Sequence, residues 1–194
     1  MKLFEPAGLW PFGDIEPGVW DFIMMDIPWH YRLYSQAGEK KSPQAHYKTM
    51  SIEQVKALPV VDLAAPNSVL WLWAINPMLP QALDVMTALG FTFKTAGTWL
   101  KVTKHGKISF GTGYILRGSN EPFLIGTRGK PKTSRSVRSG FTGLIREHSR
   151  KPEEAYQAAE RLMPDARRLD LFSRTDRPGW TSWGDEVGKF GVAT

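Results

Sequence analysis

Phe22-Ile23-Met24-Met25-Asp26-Ile27-Pro28-Trp29 is the stretch that decides the fold. Four apolar residues stop abruptly at an acid and a proline, as in a strand buried on both faces that delivers a polar residue at its carboxyl end. Working outward, Ser51-Ile52-Glu53-Gln54 has capping-box spacing and predicts a helix ended or interrupted at Pro59. Residues 68–73 predict a second buried strand, and residues 77–89 a helix whose apolar face is Leu79, Leu83, Val85, Met86 and Leu89, with Gly90 placed to end it. Strands follow over 91–101 and 122–126. Pro152-Glu153-Glu154 supplies the first turn of a helix with Ala155, Ala158, Ala159 and Leu162 facing inward. Residues 168–172 return as a strand before a tail rich in Gly and Trp. Strands alternating with helices predict an α/β fold, whose ligands sit beyond the carboxyl ends of the strands. Asp26 and Arg174 are expected there.

The 194 residues are 42% hydrophobic, which suits a single domain over 1–194 with a real core. No apolar run approaches the roughly 18 residues that span a membrane, and the first residues lack a basic start followed by an apolar stretch. The expectation is a soluble, cytoplasmic protein with no membrane partner. Zero cysteines exclude disulfides and thiolate chemistry, and His30, His46, His105 and His148 lack metal-ligand spacing, so no metal is expected. Neither a GxGxxG nor a P-loop pattern occurs, which leaves nicotinamide and nucleoside-triphosphate chemistry without support.

The formal charge of +6 is concentrated. Arg128, Lys130, Lys132, Arg135, Arg138, Arg146, Arg150 and Lys151 are opposed only by Glu147, and glycines and serines interrupt them. The stretch over about 128–151 reads as a mobile basic loop, either tracking phosphates, with Arg135, Arg138 and Arg146 as candidate contacts, or simply solvated. Asp26 offers a carboxylate at a strand end, Ile27 and Pro28 offer backbone carbonyls, and Trp29 offers an aromatic face. Pro28 fixes its own φ and pushes Ile27 into an extended conformation. The same four residues also suit an ordinary Asp-x-Pro turn with a packed tryptophan.

An ordered set of further motifs bears on that choice. It comprises His46-Tyr47-Lys48-Thr49-Met50, Trp71-Leu72-Trp73, Trp99-Leu100-Lys101, Gly111-Thr112-Gly113-Tyr114, Glu121, and Arg146 followed by Ser149-Arg150-Lys151-Pro152-Glu153-Glu154. Leu171-Phe172-Ser173-Arg174, Gly179-Trp180 and Trp183-Gly184 complete it. With Asp26-Ile27-Pro28-Trp29 in place of the signature Asp-Pro-Pro-Trp, the chain over about 20–190 resembles the adenine-N6 methyltransferases related to the large subunit of the eukaryotic messenger-RNA adenosine methyltransferase. Its short, loop-light form is similar to bacterial and phage members.

The resemblance implies a Rossmann-like class I methyltransferase fold, with a mixed, mostly parallel sheet flanked by helices, and S-adenosylmethionine as cofactor. It implies that Asp26 and the carbonyls of Ile27 and Pro28 accept the N–H groups of the adenine amine, whose conjugated lone pair makes it a poor nucleophile. Trp29 would line the base site and Tyr47 would gate it. Lys151 would meet the cofactor carboxylate, with Asp26, Arg174, Asp185 and Glu186 among the cofactor contacts. Trp99, Lys101 and Glu121 would lie near the acceptor nucleotide. Two positions depart from the pattern: Ile27 replaces a proline and removes one φ lock, and Asp185 replaces an asparagine and cannot donate a hydrogen bond.

The resemblance implies nucleic acid as partner, DNA ahead of RNA. A non-catalytic nucleic-acid-binding subunit is the other class of reading, motivated by Ile27 and Asp185. Methylation of a small molecule or a protein fits the basic run less well. So short a chain leaves little surface for target recognition, which points to a homodimer or a partner subunit.

Overall fold

The computed structural model describes residues 10–29, 49–113, 115–147 and 150–191, so Tyr47, His30, His46 and His148 lie outside the described residues. Strand β1 (Trp20–Met25) has Phe22 through Met25 fully buried. From Phe22 onward it is apolar because it is central, pairing in parallel with β2 (Ala64–Trp73) on one side and β6 (Arg168–Leu171) on the other. The remaining strands are β3 (Thr92–Val102), β4 (Asn120–Arg128), β5 (Gly140–Leu144) and β7 (Trp180–Trp183). They complete a seven-stranded sheet in the order β5-β3-β4-β2-β1-β6-β7. Only β4 runs against the rest, antiparallel to both β2 and β3, so the sheet is mixed and mostly parallel and the α/β expectation holds.

Side-chain alternation along β1 sorts the core into two layers. Ile23 and Met25 face helices α1 (Ile52–Lys56), α2 (Val60–Leu63) and α3 (Leu79–Ala88), whereas Phe22 and Met24 share the other layer with α4 (Glu153–Leu162). The capping box at α1 is formed in both directions, Ser51 Oγ accepting from Gln54 N and Gln54 Oε1 from Ser51 N. Pro59 separates α1 from α2, as its missing N–H dictates. The segment read as one helix over 77–89 starts with a 3₁₀ turn, Asn76–Met78, and Gly90 ends it at φ +84°. Ala82, Val85, Met86 and Leu89 form its buried stripe, while Leu83 is 39% exposed and falls off the face assigned to it.

Two strands differ from the sequence expectation. The stretch read as a basic loop carries β5, which pairs with β3 at the sheet edge, and its first arginine is a clamp. Arg128 donates to the carbonyls of Val61 and Ala64, both at 2.8 Å, and so closes the end of α2. The Gly/Trp tail contains β7, whose alternation puts Trp180 against α4 and Trp183 against Phe12 and Phe172. No helix among the described residues is long and apolar enough to cross a membrane.

Candidate active site

The connection that follows β1 leads to β2 past α1 and α2 on one face, and the chain reaches β6 through α4 on the other. The carboxyl ends of β1 and β6 therefore flank a topological switch point, where open α/β sheets leave a crevice. A cleft of about 400 Å³, continuous with solvent, lies there. Asp26 lines it from the end of β1 and Trp73 from the end of β2. Asp170, Phe172, Ser173, Arg174, Thr175 and Arg177 come from β6 and the turn after it, and Arg150, Lys151, Glu153 and Tyr156 from the start of α4.

Asp26 continues the even-numbered face of β1 towards α4, and there it meets Lys151. The ammonium lies 2.9 Å from Asp26 Oδ1, also binds Glu121 Oε1, and sits 5.1 Å from the centre of the Trp73 ring. Glu121 Oε2 is in turn 2.8 Å from Lys101 Nζ, which lies over Trp99 at 4.7 Å. Charges thus alternate along a line from β3 through β4 and α4 to β1. Burial pushes the Asp26 carboxyl up, and Lys151 opposes it; Glu121, also buried, is nonetheless drawn down to about 2 by Lys151 and Lys101. Burial works against the Lys151 charge, but Asp26 and Glu121 outweigh it and raise its pKa. Removing Lys151 from this cluster leaves buried carboxylate charge uncompensated, whereas removing Asp26 leaves Lys151 paired with Glu121.

Ile27 and Trp29 take the opposite parity. Ile27 and Trp29 are buried in the layer of α1 to α3, and Trp29 Nε1 donates to the Trp73 carbonyl at 3.3 Å. The Trp29 ring, 5% exposed, is packed in the core instead of presenting an open face, so in this state it anchors the turn. The Ile27 carbonyl accepts from Trp29 N at 2.8 Å and the Pro28 carbonyl from Met50 N at 3.0 Å. Both carbonyls are fixed in direction, and each keeps a second lone pair. The φ lock lost at Ile27 is replaced by burial and by this hydrogen bond.

The other expected residues divide. Arg174 lines the cleft and pairs with Glu186 at 2.7 Å, whereas Asp185 is exposed and lies outside the lining. Trp99 is 3% exposed and donates to the Gly143 carbonyl at 2.9 Å, so it props the strand edge beneath Lys101. Arg146 is tied to Glu153 at 2.7 Å beside the cleft; Arg135 and Arg138 are exposed on the connection between β4 and β5.

Of the lining residues, sequence reasoning gave a site role only to Asp26, Lys151 and Arg174, and missed Asp170, Tyr156, Arg177 and Phe172 among the others. Asp170 accepts from the Tyr156 hydroxyl at 2.9 Å, and burial pushes its carboxyl up to about 7 against hydrogen bonds from Ser173 and Tyr156. Arg177 stacks 3.9 Å over Tyr156 and pairs with Glu153 at 2.5 Å. Phe172 adopts φ +63°, a left-handed conformation disfavoured for a bulky residue and held here by edge contact with Trp183. A Cβ at Gly184 would come within 3.0 Å of the Phe172 backbone, so glycine is what lets the turn close. An acid inside the otherwise apolar Leu169-Asp170-Leu171 was the available signal.

The donor set suits S-adenosylmethionine. Lys151 and Arg174 are matched to a carboxylate, Asp26 and Asp170 to cationic groups, hydroxyls and carbonyls of 173–175 to a ribose, and Phe172 and Trp73 to apolar edges. Among the described residues no cluster of His, Cys, Asp or Glu could hold a metal ion.

Comparison with known proteins agrees with this geometry. Residues 20–186 match the MT-A70 family. The chain is 28% identical over 175 residues, 88% of its length, to an N(6)-adenosine-methyltransferase MT-A70-like protein of Arabidopsis thaliana, covering 24% of that protein. It is 30% identical over 185 residues, 90% of its length, to the N6-methyladenosine RNA methyltransferase MTA1 of Cryphonectria parasitica, covering 54% of it. It is 26% identical over 145 residues, 73% of its length, to the type II methyltransferase M.MunI of a Mycoplasma species, covering 60% of it. The chain thus spans between about a quarter and three-fifths of these relatives. MT-A70 methyltransferases use S-adenosylmethionine as methyl donor. With the acid of the signature at the end of β1 and the family pattern running from β1 to the turn after β7, the chain belongs to the MT-A70 family of adenine-N6 methyltransferases.

Proposed function

We propose that this chain transfers a methyl group from S-adenosylmethionine to the N6 amine of adenine in DNA, with Asp26 as the principal acceptor for the amine hydrogens. The observation that carries the reading is the position of Asp26 at the inner end of the cleft, its Oδ1 held by Lys151 next to two fixed carbonyls. The cofactor supplies an electrophilic methyl on a sulfonium. Asp26 Oδ2 and the second lone pairs of the Ile27 and Pro28 carbonyls draw on the amine N–H groups and favour the tetrahedral nitrogen that attacks. Positioning and preorganised acceptors account for catalysis of this kind, with no strong base required. Lys151 holds Asp26 in place and lines the cleft, where its ammonium suits a cofactor carboxylate, and Arg174, paired with Glu186, lines the same cleft. Lys101 and Glu121 border the acceptor side.

DNA is favoured by the resemblance to bacterial and phage members, for which DNA is the obvious abundant substrate. RNA is the second reading, because the fungal relative at 30% identity is named as an RNA methyltransferase. In either case the base must leave its stack. Transfer of labelled methyl to matched single-stranded DNA, duplex DNA and RNA separates them. Incorporation into DNA is expected, and activity on RNA alone ends the DNA reading.

Arg135 and Arg138 are exposed and reach phosphates, whereas Arg128 is committed to the end of α2. Each phosphate neutralised adds about 0.9 to the slope of log affinity against log salt for duplex DNA. A double Arg135→Ala, Arg138→Ala variant should therefore lower that slope by roughly 2 with an unchanged melting temperature. Arg128→Ala should lower the melting temperature and leave the slope intact. Fluorescence anisotropy across a salt series and a thermal melt measure the two effects.

A further inference from the structure

The proposed chemistry leaves the connection between β3 and β4 unused. β3 runs in the same sense as β1 and β2, because β2 and β3 both oppose β4. Residues 103–119 therefore leave the sheet at the edge where the cleft opens. Their base is tied to the site. Ser109 N donates to the Lys101 carbonyl and Lys101 N to the Ser119 carbonyl, both at 2.8 Å, and the Lys101 ammonium heads the line of charges that ends at Asp26. Further out, Gly111 N donates to the Gly118 carbonyl at 2.8 Å, and a Cβ at Gly118 would lie 2.7 Å from the Thr112 carbonyl, so glycine is what lets the tip close.

That tip holds its apolar side chains out in solvent. Phe110 and Leu116 are each 82% exposed and Ile115 is 95% exposed. Large apolar groups left so open along one short hairpin mark an interaction site. The surrounding charge selects the partner. Lys104, His105, Lys107 and Arg117 are exposed, no acid occurs from 102 to 120, and the Arg117 guanidinium lies 5.6 Å over the Phe110 ring. A second copy meeting this surface symmetrically would set like charges against each other, whereas a polyanion gains from each of them. Apolar side chains inserted between bases, with cations close to the phosphates, are a known means of opening a stacked duplex.

We propose that the β3–β4 tip is a nucleic-acid wedge: Phe110 packs on the base beside the acceptor adenine when that adenine leaves the stack, and Lys107 and Arg117 hold the neighbouring phosphates. The inference rests on the proposed function and deepens it. Extruding a base costs most when it is paired and least when it is mismatched, so the wedge matters chiefly on paired substrate.

Transfer of labelled methyl to a fully paired duplex, and to the same sequence with its adenines placed opposite cytosine, tests this. The duplexes are DNA, or RNA of the same sequence if RNA alone accepts methyl. Phe110→Ala should lower transfer to the paired duplex by roughly tenfold or more, the loss expected for one base–aromatic stack, and change transfer to the mismatched duplex little. Phe110→Trp should restore the paired activity. Because the ring is exposed, the melting temperature should not move. Arg117→Ala should lower the slope of log affinity against log salt by about 0.9. A wild type inactive on paired duplex, equal losses on both substrates, or no rescue by tryptophan overturns the proposal. A wild-type dimer that Phe110→Ala dissociates in sedimentation, with the paired-duplex rate unchanged, assigns the tip to a second copy and overturns it too. If the wild type methylates no polynucleotide, the proposed function fails and takes this inference with it; transfer indifferent to Phe110 removes this inference alone.

Discussion

Asp26→Ala should lower the rate of methyl transfer on the order of 10²–10³-fold, the loss typical of removing one preorganised polar group from a reacting centre. The fold should survive. Asp26 lies just beyond β1, its side chain is 23% exposed, and burial pushes its pKa up, so its charge is held there at some cost to stability. Lys151 keeps Glu121 as a partner when Asp26 is gone. Circular dichroism and a thermal melt should therefore match the wild type while turnover of labelled methyl collapses. Unchanged turnover would remove Asp26 from the chemistry and leave it as the acid of an ordinary strand-end turn.

Lys151→Met should have the largest effect on stability. The ammonium is 7% exposed and neutralises two carboxylates that would otherwise face each other in a site poor in water. Breaking a buried pair in this way costs about 3–5 kcal/mol, or about 6–20 °C in melting temperature for a chain of this size. The loss depends on pH with a definite sign. Glu121 is held at about 2, below its unfolded value, so its contribution is present above roughly pH 4.5 and is lost as pH falls towards 2. In the variant its pKa rises, so the gap between variant and wild type is widest at neutral pH and narrows in acid. Because Lys151 also lines the cleft proposed to hold the cofactor, its replacement should weaken cofactor binding more than nucleic-acid binding. The reverse order in paired titrations would place it on the phosphate path.

Much of the fold was legible because the decisive signals were local. The apolar run of β1 reads as a strand buried on both faces, and Ser51 with Gln54, Pro59, Gly90 and Pro152 mark element boundaries through backbone chemistry that any context preserves. β5 was hidden by glycines and flanking charge, and β7 by having only four residues. Both are edge strands that depend on a neighbour for their definition. Asp26, Lys151 and Arg174 could be picked out from the family pattern and come together at one cleft. Asp170, Tyr156 and Arg177 could not, because their meeting depends on β6 lying beside β1, a pairing such as Met24 with Asp170 between residues far apart in the chain. Parity explains the tryptophan: Asp26 falls on the face of α4 and Trp29 on the other, which buries the ring that the sequence left open.

The central claim is that the cleft between β1 and β6 makes N6-methyladenine through Asp26. Its most direct test is mass spectrometry of nucleosides from adenine-containing DNA incubated with the purified chain and isotopically labelled S-adenosylmethionine, with Asp26→Ala run alongside. The account predicts labelled N6-methyl-2′-deoxyadenosine from the wild type and a loss of two to three orders of magnitude in the variant. A label found on another atom or base, or equal yields from both proteins, would contradict it.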